Sequence, residues 1–123
     1  MEGDYHKSIE IYEKLATAAV NNQLMKYSVK DYFLKSGICL LAAADMVTTN
    51  QALEKYRNLD PSFPSTREHQ LLVDLIETVE AGDPKAFGDK LYMYHQISKL
   101  DNWKTSLLLR VKNGIEERGE DFS

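Results

Sequence analysis

The chain has 123 residues, enough for one compact domain, and its 43% hydrophobic and 28% charged residues are ordinary for a soluble globular protein. A formal net charge of −4 excludes a wholesale basic surface for nucleic acid or anionic lipid. No stretch approaches the ~18 apolar residues of a membrane span, and Met1-Glu2-Gly3-Asp4 lacks the apolar run of a signal peptide. The single cysteine, Cys39, lies in the run Gly37-Ile38-Cys39-Leu40-Leu41 and reads as a small buried hydrophobe. The chain reads as cytosolic.

Helical periodicity runs almost throughout, and strand alternation is nearly absent. A first helix is predicted from about Asp4 to Val20, with Tyr5, Ile9, Tyr12, Leu15 or Ala16, and Ala19 on one face, ended by Asn21-Asn22. A long second helix is predicted from about Leu24 to Met46, and a third from about Asn50 to Leu59 with Thr48 or Thr49 as N-cap. Asp60-Pro61-Ser62-Phe63-Pro64 is a loop, because a proline disfavours helix at the residue before it. Ser65-Thr66-Arg67-Glu68 has the pattern of a capping box, opening a fourth helix that runs to Glu80. Gly82 can end that helix, and Asp83-Pro84 supplies an N-cap and a first-turn proline for a fifth, to about Ser98. The sixth begins near Asp101 and carries Trp103, Leu107, Val111 and Ile115 at four-residue steps. Cys39, Trp103, Leu107 and Val111 are the expected core contacts.

Six helices with short connections make antiparallel hairpins. Ser8 and Ala52 each stand four residues before a tyrosine, Tyr12 and Tyr56, and Leu15 and Leu59 follow three residues after. A small side chain lets two helices approach while the aromatic fills the gap beside it, the second-helix pattern of tetratricopeptide-type repeats. The expectation is an all-α fold of tetratricopeptide-like hairpins over about 1–64, a C-terminal helical bundle over about 65–116, and a mobile acidic tail over 117–123. Because a repeat buries its apolar face only against neighbours, the chain is expected to be one stretch of a longer superhelix.

No catalytic, cofactor-binding or metal-ligating constellation stands out. His6, His69 and His95 fall on different helices at no ligand spacing, and there is no C-x-x-C, H-E-x-x-H, phosphate-cradling glycine loop or G-x-S-x-G. The seven tyrosines are at helical spacings that suit core or groove positions. An enzyme is not expected. The charges, by contrast, segregate. Residues 68–83 hold five carboxylates (68, 74, 77, 80, 83) and no Lys or Arg, whereas 84–112 hold six cations against Asp89 and Asp101. Asp74, Glu77 and Glu80 form a slowly turning stripe, readable either as an ordinary solvated face or as a surface for a basic partner. Phe122 is an aromatic at an acidic end, either a frayed terminus or a hook for a partner.

Three segments together resemble a known family. Leu24 to Phe33, LMKYSVKDYF, is similar to the LLKYSAKDYFF stretch of alpha and beta soluble NSF attachment proteins. Leu100 to Lys112, LDNWKTSLLLRVK, resembles their LDQWLTTMLLRIK, and Glu120-Asp121-Phe122-Ser123 resembles their acidic terminus with its penultimate leucine. The likeness covers essentially the whole chain, with about one inserted residue near Ala42 to Ala44. It implies a non-enzymatic adaptor that bridges SNARE four-helix bundles to the N-domain of the NSF ATPase and stimulates SNARE disassembly. It also implies a cytoplasmic protein, peripheral on endomembranes, whose membrane-touching loop lies in an N-terminal half absent from this chain.

By the same resemblance, Leu24 and Lys30 match positions facing the SNARE bundle, and Lys26 is expected one turn before Lys30 on the same face. Asp45, Glu77 and Glu80 match acidic positions that meet NSF, with Asp74 joining them through the stripe. Phe122 matches the leucine linked to ATPase stimulation, with Glu120 and Asp121 guiding it. Arg67 matches a basic position without an assigned role. Ala81, Arg118 and Gly119 stand where the family carries acids, and Ser123 where it carries a cation, which weakens the acidic patch and the tail. The competing expectation is a generic tetratricopeptide-like scaffold that binds a peptide in a groove, with no ATPase partner.

Overall fold

The computed structural model describes residues 5–120, the side chain of Glu120 excepted. Among them are six α-helices and no strand: α1 His6–Val20, α2 Val29–Ala42, α3 Met46–Leu59, α4 Arg67–Ala81, α5 Pro84–Ile97 and α6 Asn102–Glu120. Short 3-10 turns at Lys26–Ser28 and Phe63–Ser65 precede α2 and α4. The all-α hairpin architecture expected from periodicity is the one observed.

α2 is the central helix, packed against α1, α3, α4 and α6. Its sequence explains this: Phe33, Leu34, Ile38, Cys39, Leu40 and Leu41 leave it no polar face over its second half, and all are buried. Gly37 brings α4 close, since a Cβ there would lie 2.6 Å from Leu72 Cδ2. Phe33 stacks on Tyr56 of α3 with ring centroids 4.5 Å apart, and Phe63 tilts against it at 4.9 Å. The Tyr56 hydroxyl donates to Glu13 Oε2 at 2.6 Å and accepts from Ser36 Oγ at 2.7 Å, so α1, α2 and α3 meet at one buried phenol. Burial, reinforced by the Glu13 carboxylate, pushes that phenol far above the usual tyrosine range. Cys39 is fully buried, and burial pushes its thiol up to about 11.

Several boundaries differ from expectation. The chain leaves helix at Ala43–Asp45, with Ala44 in the left-handed region at φ 62°, and α3 begins at Met46 rather than Asn50. The apolar run Ile38–Ala44 contains no helix breaker, so periodicity alone carried the second helix through. Asp45 interrupts it by capping α3: its carboxylate accepts from Thr48 N at 3.0 Å and Thr48 Oγ1 at 2.7 Å. α2 also starts at Val29 rather than Leu24. Thr66, not Ser65, caps α4 by accepting from His69 N at 3.1 Å, and Glu68 takes no part in a capping box because it is drawn to Tyr94. Gly82 ends α4 in the left-handed conformation at φ 67°, and Asp83 caps α5 by accepting from Ala86 N at 3.0 Å, as the sequence predicts.

α6 keeps the expected Val111 and Ile115 on its buried face, but its first turns depart from the four-residue stripe. Lys104, Leu108, Val111 and Ile115 are its buried positions, whereas Leu107 is half-buried and Trp103 is 38% exposed, its ring edge-on to Tyr12 at 5.6 Å. The expected burial of Trp103 is therefore corrected. Lys104 takes the inward place in the first turn: its Nζ bonds Asp31 Oδ1 of α2 at 2.8 Å and lies 3.4 Å from Asp101 Oδ2. Burial would lower its pKa, but the two carboxylates outweigh it and hold the ammonium above the usual lysine value.

Candidate functional site

The contacts between helices set their directions. Lys30 near the start of α2 faces Glu68 near the start of α4 at 3.9 Å, so these two run parallel. α3 and α5 return antiparallel, with Tyr94 Oη near the end of α5 donating to Glu68 Oε2 at 2.7 Å. Lys104 near the start of α6 meets Asp31, so α6 also rises with α2. One end of the molecule thus holds the α1–α2 connection and the starts of α2, α4 and α6. The other holds the start of α3 and the ends of α2 and α4. At about 1.5 Å per residue, the 14 residues of α2 separate these ends by about 21 Å.

The first end carries Leu24, Lys26 and Lys30. Asn22 Oδ1 accepts from Leu24 N at 2.9 Å, Met25 N donates to Asn22 O at 3.0 Å, and Ser28 N donates to Met25 O at 2.9 Å. These tight turns leave Leu24 92% exposed and Tyr27 87% exposed. Lys26 stands in the 3-10 turn, outside the α-helical register of Lys30, so the expected shared helix face is corrected; both ammoniums are exposed at the same end. Other cations here turn inward. Arg67 donates to Ser98 Oγ and to Tyr94 O, and its guanidinium lies over the Tyr94 ring at 4.9 Å. Arg57 Nε donates to His69 Nε2 at 2.8 Å. Burial first, and then the Glu68 carboxylate, push the Tyr94 phenol well above its usual range.

The second end gathers carboxylates. Asp45 is exposed at the α3 cap, where the Thr48 amide and hydroxyl hold its carboxyl below the usual range. Asn50 Nδ2 donates to Glu80 Oε2 at 3.4 Å, placing the end of α4 beside the start of α3. Glu77 is exposed one turn back on α4, and Asp83 is exposed just beyond it. Asp74 does not join this group. Its side chain is 21% exposed, accepts from Gln70 Nε2 at 2.9 Å and lies 4.0 Å from Lys90 Nζ on α5. Steps of three residues turn about 60° each on a helix, so the stripe rotates Asp74 into the α4–α5 groove. Asp121 and Phe122 lie outside the described residues, and of Glu120 only the backbone is described.

Sequence reasoning missed Tyr27, grouped with core tyrosines although it follows the exposed Leu24, and Asp83, counted in the acidic segment and taken as a cap but not as a site residue. It also missed the inward use of Arg67; an arginine opening a helix, 31 residues from Ser98, gives no local sign of that partner. Among the described residues, no three His, Cys, Asp or Glu side chains converge as a metal cluster, and no helix is long and apolar enough to cross a membrane.

Comparison with known proteins gives a single family. Residues 1–116 match the family model "Soluble NSF attachment protein, SNAP". The chain is 50% identical over 121 residues to a probable vesicular-fusion protein sec17 homolog of Schizosaccharomyces pombe, covering 98% of this chain and 42% of that protein. It is 44% identical to the alpha-soluble NSF attachment protein of Vitis vinifera (93% of this chain, 39% of that one), and 39% identical to that of Mus musculus (96% and 40%). The chain therefore spans about two-fifths of the length of these relatives.

Proposed function

Because the chain belongs to the soluble NSF attachment protein family, we propose that it is the two-ended part of an adaptor that bridges SNARE four-helix bundles to the NSF ATPase in vesicle fusion. The adaptor is non-catalytic and acts from the cytoplasm, peripheral on endomembranes. The observation that carries this reading is the placement of two chemically different surfaces at opposite ends of α2. Leu24, Lys26 and Lys30 form the SNARE-binding end: an apolar side chain flanked by two ammoniums suits an acidic helical bundle with a small dry contact. Asp45, Glu77 and Glu80 form the NSF-binding end, and Glu120, Asp121 and Phe122 are further NSF contacts in this reading. Carboxylates there steer a basic domain to the surface, and the aromatic enters a pocket on it. Asp74 adds to the field of this end but, held by Gln70 and Lys90, is not one of its direct contacts.

Two ends are what a bridge needs, since both partners must be held at once without competing for one face. The test is an NSF ATPase assay with the chain tethered to a SNARE bundle, with and without residues 120–123. Stimulation that depends on those residues is expected. Stimulation indifferent to the terminus, or absent from both proteins, would turn the reading to a peptide-binding scaffold.

A further inference from the structure

Glu68 is a buried carboxylate that neither proposed surface uses. It stands in the first turn of α4 and is only 9% exposed. A charge taken out of water needs compensation, and this one has two sources. Its Oε2 accepts from Tyr94 Oη at 2.7 Å, and its Oε1 lies 3.9 Å from Lys30 Nζ on α2. Tyr94 is itself buried near the end of α5, with the Arg67 guanidinium over its ring at 4.9 Å. The phenol therefore fixes the carboxylate, while the Lys30 side chain, 52% exposed, keeps room to reach a partner. Glu68 is the fixed member of the pair and Lys30 the moving one.

The consequence is electrostatic. Arg67, Arg57 and Lys104 are bonded inside the protein. Lys26 and Lys30 face outward, and Lys30 does so beside a fixed negative charge. Beyond a few ångströms the fields of Lys30 and Glu68 largely cancel, so an anion that brings charge alone gains little from this ammonium. A partner that also covers the exposed Leu24 expels water from the same end, and at short range in drier surroundings the ammonium counts for more. We propose that Glu68 sets the selectivity of this end: it masks Lys30 against anions that offer only charge and leaves the apolar contact to choose the partner. The inference rests on the SNARE-facing reading of that end. Because Glu68 acts through Lys30, it is a positioning residue.

The test uses two probes, an assembled SNARE bundle and poly-L-glutamate, which carries carboxylates without the apolar surface of a folded bundle. Glu68→Gln keeps an oxygen for the Tyr94 hydroxyl and removes the charge, so it should melt with the wild type. Its affinity for polyglutamate should rise on the order of threefold, the scale of one partly exposed charge pair, and should fall more steeply with salt. Its affinity for the bundle should rise less, so the preference for the bundle narrows. Lys30→Gln added to Glu68→Gln should cancel the gain, which a disturbed fold would not do. Where Glu68→Gln lowers the melting temperature, Glu68→Met with Tyr94→Phe removes the same charge without leaving a buried polar group unpaired, and should show the same gain. Polyglutamate binding that is unchanged or weaker in both charge-removed proteins overturns the proposal. So does a gain that survives Lys30→Gln, or an equal rise for both probes. Failure of the wild type to bind the bundle would instead count against the SNARE reading of this end, and masking by Glu68 would still stand or fall on the polyglutamate comparison.

Discussion

The two ends of α2 are built on different rules. At the α3–α4 end the exposed carboxylates Asp45, Glu77, Glu80 and Asp83 face solvent, with polar neighbours such as Thr48 and Asn50 but no ion pair among the described salt bridges. At the opposite end the cations are mostly committed inside the protein: Arg67 to Tyr94 and Ser98, Arg57 to His69, Lys104 to Asp31 and Asp101, and Lys30 loosely to Glu68. What that end leaves to a partner is apolar, Leu24 and Tyr27, with Lys26 and part of Lys30. One end is therefore suited to steering and the other to a small desolvated contact. Binding at the acidic end should depend steeply on salt, and binding at the Leu24 end much less.

The largest effect should come from Phe33→Ala, which removes the ring between Tyr56 and Phe63 at the core both ends share. Truncating a buried Phe typically costs about 3–5 kcal/mol, so a denaturant midpoint should fall sharply and binding at both ends should fail together. Loss of one end alone would mean that the ends do not depend on a common core. The next effect should separate them. Glu77→Lys with Glu80→Lys should slow association with the NSF N-domain on the order of tenfold at low salt, the scale of electrostatic steering, while SNARE pull-down and melting stay unchanged. A salt series that leaves wild type and variant alike would return these carboxylates to an ordinary solvated surface.

Asp45 sharpens the comparison because it has two jobs at the same end. Its carboxylate caps α3 through Thr48 and adds charge beside Glu80. Asp45→Asn keeps a side-chain oxygen at the cap and removes the charge, so it should slow NSF association with little change in melting. Asp45→Ala should lower both. If Asn and Ala slow association equally but melt differently, charge carries the function; if Asn leaves association intact, the cap geometry does.

Much of the fold was legible because local chemistry governed it. The Gly82 stop and the Asp83-Pro84 start are decided within a few residues, and both appear as expected; the apolar run of the second helix is helical only to Ala42. One miss is local, the Asp45 cap that cuts the second helix short, and others come from distant partners. Glu68 fits a capping box by spacing, yet Tyr94, 26 residues on, holds its carboxylate. Trp103 fits a four-residue apolar stripe, but in the first turns of α6 Lys104, bonded to Asp31, and Leu108 take the inward places, while Val111 and Ile115 keep theirs. Trp103→Ala should accordingly cost only about 1 kcal/mol, the scale of its edge contact with Tyr12, and a loss several times larger would show that α6 hangs on this ring. The candidate site was legible in parts: Asp45, Glu77 and Glu80 do lie at one end, whereas Asp74 was grouped with them by linear spacing that a helix does not preserve.

The smallest expected effect lies at the basic end, where an imidazole takes part in holding a cation. Arg57 Nε donates to His69 Nε2, so the ring is neutral with its hydrogen on Nδ1, and that nitrogen is buried without a partner. Adding a proton at Nε2 would set one N–H against another. Burial first, and then the Arg57 charge, hold the His69 pKa below the ordinary value of 6.5. A histidine with a depressed folded pKa binds protons more readily when unfolded, so its share of stability is complete above 6.5 and declines as pH falls from there toward the folded pKa. Melting temperature measured across that window should drop for the wild type. His69→Leu should melt lower at neutral pH, having lost the Arg57 bond, but with a flatter profile over the same window. Parallel profiles for the two proteins would show that the ring does not titrate against the fold, and that the basic end owes its shape to Arg67 and Lys104 alone.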